Sequence, residues 1–565
     1  MSKRKYTVGV DFGTLSGRAV LVDVGDGTEI ASAALDYPHG VMDRFLPDGV
    51  TPLAPDWALQ HPQDYLDVLS HTIPTVLRES GVDAEDVIGV GIDFTSSTLL
   101  PVFRHGTPLC FAEEYKSNPH AYVKLWKHHA AQSYANRITQ VAAERGEPWL
   151  SLYGGRVSSE WTLPKLWQTL SEAPEVYFQA DCLVEAADWI VWQLTGELVR
   201  NSCSAGYKAF YRKQSGYPGK EFFGALDHRL TDVTEDKLRG RVASVGACAG
   251  YLSEAAAALT GLKTGIAVAV ANVDAHVTVP ALGIDGPGKM LAIMGTSTCH
   301  MLMSREELPI PGICGVVEDG ILPGFFGYEA GQSCVGDHFA WFVDHFTPAS
   351  YEEEAASRGI SPMQLMIEKA AALKPGESGI LALDWWNGNR SILVDADLSG
   401  LFLGMSLQTR PEELFRALVE ATAFGTRAII ENFRVGGAPV DEFYAAGGIS
   451  QKDPFTMQLY ADVIGMDIRV SGSRQAPALG SAIFAAAAAG ELAGGYADVF
   501  AAARRMGKVS DRVYHPDPAN RAVYDRLYAE YMSLHDYFGR GENSVMKRLR
   551  AIRAEVKSGT PTANS

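Results

Sequence analysis

The feature that most restricts this chain is a pattern that occurs twice, far apart. Tyr6 to Val10 is a short β-type run, Asp11-Phe12-Gly13-Thr14 is a turn, and Arg18 to Val22 is a second apolar run. Lys289 to Met294, Gly295-Thr296-Ser297 and Cys299 to Met303 repeat that order in the later half. Each unit reads as a hairpin with a small, hydroxyl-bearing turn. Two such units are too few for a solenoid and predict two α/β halves that face each other. A length of 565 residues accommodates two large domains. The turn formers Gly283-Ile284-Asp285-Gly286-Pro287-Gly288 stand just before the second unit and mark the expected boundary.

Between and after the hairpins the apolar spacing turns helical. Trp161 to Leu170 is expected as a helix capped by Ser158-Ser159, and Asp188 to Leu194 as one closed by Thr195-Gly196. Pro411 to Phe433 carries proline at its start and Glu412-Glu413 in its first turn. Leu479 to Ala489 ends at Gly490, and its alanine-dominated apolar run is too short to span a bilayer. The basic opening MSKRKYTVGVDFG leads straight into a strand pattern without a secretory apolar core. Residues 546–565 turn basic and then polar, as a flexible tail would.

A net charge of −18 argues against a broad nucleic-acid surface, which needs a basic stripe to release counterions. Seven widely spaced cysteines without a C-x-x-C pair signal neither a zinc site nor a disulfide framework, so a reducing cytoplasm is the expected compartment. No membrane partner is expected, and a homodimer is the assembly considered.

No G-x-x-x-x-G-K-[ST] loop is present, so any nucleotide must be held by another cradle. Asp11-Phe12-Gly13-Thr14 supplies one: a tight turn exposes backbone N–H groups, Gly13 admits an oxygen ligand closely, and Thr14 adds a hydroxyl. Asp11 can hold Mg²⁺ directly or through its waters. Gly295, Thr296 and Ser297 can grip phosphates from the other side. Tyr444-Ala445-Ala446-Gly447-Gly448 runs a strand into two glycines that leave room for adenine or ribose; a simple turn is the competing reading.

Val268-Ala269-Val270-Ala271-Asn272-Val273-Asp274 is a buried-type strand ending in a carboxylate, where α/β sheets meet their ligands. Asp274 there can accept a hydroxyl proton during phosphoryl transfer. The same aspartate also fits an Asx turn or a helix cap. His276 is a second candidate base that reads more readily as structural.

D-x-G-T near the start, G-T-S midway, A-G-G late and an aspartate closing a central strand together resemble the FGGY carbohydrate kinases. Trp161-Thr162-Leu163-Pro164-Lys165-Leu166-Trp167 and Asp188-Trp189 to Gly196 resemble that family's N-terminal domain, and the likeness spans about residues 6 to 540. It implies two RNase H-like domains of the hexokinase–actin superfold flanking a catalytic cleft. Residues 1–285 would bind sugar and carry the base, and residues 286–545 would bind nucleotide.

Four stretches narrow the resemblance to members acting on L-ribulose. These are Gly91 to Ser97, Ala205-Gly206-Tyr207-Lys208, Gly327 to Gln332, and Asp384-Trp385-Trp386-Asn387-Gly388-Asn389-Arg390. The implied activity is ATP- and Mg²⁺-dependent conversion of L-ribulose to L-ribulose 5-phosphate in L-arabinose catabolism. Asp274 is the implied base, with Ser96, Lys208 and Glu329 also lining the sugar pocket. Another ketopentose or polyol (D-ribulose, xylulose, ribitol) is the nearest alternative substrate. A non-catalytic actin-like nucleotide-binding module is the alternative from another class.

Overall fold

The computed structural model describes residues 4–558. Both hairpins form, and each nucleates a mixed sheet. In the first, Tyr6–Phe12 pairs antiparallel with Ser16–Asp23, which pairs antiparallel with Glu29–Asp36. On its other side Tyr6–Phe12 runs parallel to Val87–Phe94, followed by the parallel strand Ala267–Ala269. The second sheet repeats this plan. Gly288–Met294 pairs antiparallel with Thr298–Ser304, then Phe326–Gln332 pairs antiparallel with that strand. Val440–Ala446 and Ile468–Ser471 extend the sheet in parallel on the other side. The expected duplication is therefore present strand for strand.

Two helices lie between the sheets: Asp274–Ala281 and Ala476–Ala489. Their core joins Val20, Val22 and Val273 of the first sheet to Leu291, Met301 and Ala446 of the second. Ala476–Ala489 is small-sided nearly all round, which suits a helix buried on several faces. It packs tightly on the first sheet although in sequence it lies between two strands of the second, Ile468–Ser471 and Val509–Tyr514. A side chain at Gly9 would lie 1.8 Å from the carbonyl oxygen of Ala478, and one at Gly91 would lie 1.9 Å from that of Ser481. Glycine at both strand positions lets helix and sheet backbones touch.

The outer face of the first sheet is covered by Pro62–Ser80 and Ala186–Thr195, that of the second by Pro411–Val435 and Pro518–Gly539. Ala186–Thr195 ends at left-handed Gly196, as expected from its sequence. The helix Thr162–Glu172 is not capped by the expected serines. Its cap residue is Trp161, without a side-chain cap bond, while Ser158 accepts from Glu160 N one turn earlier. A long excursion between Val87–Phe94 and Ala267–Ala269 supplies three strands of a separate four-stranded sheet, whose fourth is Leu59–Gln60, and the helix Ser202–Ala209.

The segment expected as a flexible tail is helical over Val545–Ser558. Met546 is buried against the second core, Lys547 Nζ meets Asp395 Oδ2 at 2.5 Å, and Arg550 bonds the carbonyl of Ala396. Basic composition disguised a docked helix whose apolar end faces inward. Residues 559–565 of that expectation lie outside the described residues.

Candidate active site

Strand register assembles the acidic side of the site. Asp11 stands opposite Asp93 on the parallel neighbour, and Asn272 stands opposite Asp93 on its far side. Three adjacent strand ends therefore point the same way. Asp274 comes next as the first residue of the helix Asp274–Ala281, where its Oδ1 accepts the Ala275 N–H at 2.7 Å. The cap residue of that helix is Val273, without a side-chain cap bond, so Asp274 is not the helix cap that the sequence also allowed, and its second oxygen stays available.

Burial dominates the charge states. It pushes Asp11 up, against the pull of Arg18, whose Nε lies 3.4 Å from Asp11 Oδ2. Burial and then the Asp11 charge push Asp93 well above the usual carboxylate range, although Ser481 donates to its Oδ2 at 2.6 Å. Asp93 Oδ1 has no hydrogen-bond partner among the described residues. Asp274 is pushed up to about 7, by burial first and then by Asp11 and Glu329, with Ala275 N–H and Lys208 opposing.

The basic side comes from three further elements. Lys208, in the helix Ser202–Ala209, donates to Glu329 Oε2 at 3.2 Å, and both side chains are almost wholly buried. Glu329 lies on the strand Phe326–Gln332, and its Oε1 accepts from Arg390 Nη2. Burial alone would raise the Glu329 carboxyl; Lys208, then Arg390 and His276, bring it down to about 2. His276 Nε2 lies 3.6 Å from Glu329 Oε2, and burial lowers that imidazole to about 4, so it is neutral at pH 7. Ser96 stands in the turn after Val87–Phe94, its hydroxyl 3.3 Å from that of Ser97. Ser97 has φ 57°, and buried Lys165 pins its carbonyl at 2.6 Å. No hydrogen bond joins Ser96 to Lys208 or Glu329 among the described residues.

Two of the three candidate nucleotide elements lie side by side on the second sheet. Gly295-Thr296-Ser297 turns between its hairpin strands, with Gly295 N donating to Ser297 O at 2.9 Å. Ile293 pairs with Ala446, which brings Gly447 and Gly448 beside that turn. Gly447 has φ 93°, and a side chain there would lie 2.5 Å from the Met294 carbonyl, so only glycine fits. At the first turn, Gly13 N bonds Ser16 O, Tyr37 OH donates to Gly13 O, and Trp126 Nε1 donates to Thr14 Oγ1 at 3.1 Å. Arg18 carries this turn toward the second half through Gln475 Oε1 at 3.1 Å.

The N-terminal domain of the FGGY family of carbohydrate kinases matches residues 6–281, and the C-terminal domain of that family matches residues 290–489. The chain belongs to the FGGY family of carbohydrate kinases. A ribulokinase of Bacillus licheniformis is 59% identical to this carbohydrate kinase over 539 residues, covering 95% of this chain and 98% of that protein. A ribulokinase of Mycolicibacterium smegmatis is 50% identical over 554 residues, covering 98% and 97% respectively. Among solved structures, gluconate kinase from Lactobacillus acidophilus superposes with a TM-score of 0.78 at 18% identity, covering 95% of this kinase and 99% of that chain. Xylulose kinase from Rhodospirillum rubrum gives 0.75 at 22%, covering 94% and 98%. At such identities these two show the fold alone.

Asp93 and Arg390 had no assigned role from sequence. Asp93 hides inside the apolar run Val87–Phe94, and only its register with Asp11 reveals it. Arg390 lies 61 residues from Glu329, and nothing local marks their contact.

Proposed function

We propose that this kinase transfers the γ-phosphoryl group of ATP to the terminal hydroxyl of L-ribulose, giving L-ribulose 5-phosphate. The observation that carries the sugar is identity of 50–59% to ribulokinases over nearly the whole chain. The observation that carries the chemistry is the place of Asp274, electrostatically coupled both to Asp11 and to the Lys208–Glu329 pair.

Asp274 takes the hydroxyl proton as the sugar oxygen attacks phosphorus, and its carboxyl near 7 suits a base working at neutral pH. Lys208 and Glu329 hold sugar hydroxyls by charge-assisted hydrogen bonds, with Ser96 at the pocket wall. Thr14 and the Gly295–Ser297 turn hold the phosphates, and Gly447-Gly448 leave room for the nucleoside. Asp11 and Asp93 fit Mg²⁺: they are hard oxygen donors with one buried oxygen unpartnered and too little cationic charge beside them. When bound there, Mg²⁺ neutralises charge on the phosphate oxygens. Closure of the two halves keeps water from accepting the phosphoryl group.

The test is ADP release with Mg²⁺-ATP across L-ribulose, D-ribulose, L- and D-xylulose, ribitol and glycerol. The highest kcat/KM is expected with L-ribulose. Preference for another member moves the substrate assignment and keeps the mechanism. No sugar-dependent ADP release from protein that binds ATP overturns the reading.

A further inference from the structure

Arg390 occupies a seat that the strand beside it leaves open. A side chain at Gly331 would lie 3.2 Å from both Cδ and Nη1 of Arg390. The arginine lies over this bare stretch of strand, and each of its nitrogens has its own acceptor. Nε donates to Cys314 Sγ at 3.1 Å, Nη1 to Cys299 Sγ at 3.8 Å, and Nη2 to Glu329 Oε1. The two sulfurs come from either side of the strand that carries Glu329: Cys299 pairs with Gly331, and Cys314 N bonds the Glu329 carbonyl. Glu329 thus divides its oxygens, Oε1 to Arg390 and Oε2 to Lys208. An ammonium has three donors, and Glu329 is the one side-chain acceptor of Lys208 among the described residues. Donors of Lys208 therefore remain for a ligand. Two cations against one Glu329 carboxylate also leave surplus positive charge beside Asp274.

We propose that Arg390 is a positioning residue for the sugar pocket: it clamps Glu329 Oε1 over Gly331, so that Oε2 and Lys208 Nζ stay aimed at the substrate hydroxyls. This rests on the reading of Lys208 and Glu329 as sugar-binding groups. Released from the clamp, the carboxylate can turn about its last torsion and engage Lys208 with both oxygens. The pair would then satisfy itself rather than a sugar. Lysine at 390 keeps the charge but cannot reproduce the planar fork that meets two sulfurs and a carboxylate together.

The experiment is steady-state kinetics, varying L-ribulose and ATP separately, on the full chain and on R390M, R390Q, R390K and K208M, with Tm recorded for each. R390M and R390Q are expected to raise the sugar KM about 10–100-fold, the loss of one charged hydrogen bond, while the ATP KM stays within about twofold. R390K should fall between them and the unmodified enzyme. An unchanged sugar KM in either folded neutral variant overturns the proposal. So does a parallel rise in both KM values, or failure of both neutral variants to fold, because the role would then be structural. K208M separates the two readings: if its sugar KM is unchanged, the sugar-binding assignment itself fails, whatever the Arg390 variants do.

Discussion

Asp11 and Asp93 stand opposite each other on neighbouring parallel strands, and burial pushes both carboxyls above their ordinary range. Arg18 reaches only the outer member of the pair, Asp11. Buried carboxylates without matching cations destabilise the fold that holds them. Such a cost is tolerable where a divalent ion supplies the missing charge during turnover.

Asp93→Asn and Asp11→Asn should each raise the Mg²⁺ concentration needed for half-maximal ADP release, about 10–100-fold by analogy with other carboxylates at metal sites. Both should fold with an unchanged or higher Tm. Normal Mg²⁺ dependence in both variants would remove the pair from the metal site.

Asp274→Asn should lower kcat about 10²–10⁴-fold, the usual contribution of a positioned base, with little change in either KM. Single-turnover kinetics on the folded variant check this. A kcat within threefold of the original, taking about threefold as the ordinary context scatter, would take the base role away from Asp274.

The pH dependence rests on the same residue. With Asp274 near 7 the base is protonated in acid, so kcat should fall as pH drops below about 7, tenfold per unit well below it. Stability moves the other way. The unfolded carboxyl loses its proton near 3.8 and the folded one near 7, so stability falls as pH rises through that window. Asp274→Asn should flatten both curves, and thermal melts at pH 5 and pH 8 read the second.

Gly447→Ala should raise the ATP KM and lower Tm while leaving the sugar KM near its original value. The substituted residue must hold φ 93° and places its Cβ 2.5 Å from the Met294 carbonyl, at a cost of about 1–3 kcal/mol. An unchanged ATP KM would detach Gly447 from the nucleotide.

Truncation at two points isolates the contribution of the last helix. The chain ending after Ser558 gives the reference Tm. Ending it after Gly541 removes Met546 from the core and Lys547 from Asp395, and should cost about 1–3 kcal/mol. Equal Tm values for the two truncations would show that the helix adds nothing.

Much of the plan was legible because its signals are local. A strand, a tight turn and a second strand lie within a few residues, so both hairpins could be placed from composition and spacing. The same holds for helix ends such as Gly196 and Gly490, where the chain reverses at glycine. Asp274 was readable as a carboxylate closing an apolar run, and Lys208 and Glu329 through family likeness. The serine cap before Thr162–Glu172 failed because a tight turn claimed Ser158 first. The supposed tail failed because Met546 packs on a core, and accepts the Ser399 N–H, at a distance of 147 residues along the chain.

The sequence by itself determined the two hairpins, the major helices and the aspartate that ends a strand, since backbone propensity and apolar period act over a few residues. Only the tertiary structure decided that Asp93 joins Asp11, that Arg390 clamps Glu329, and that Ala476–Ala489 seals against Gly9 and Gly91. Those relationships depend on strand register and on backbones approaching across hundreds of residues. The first two form within a single half, and only the third exists once the two halves have packed.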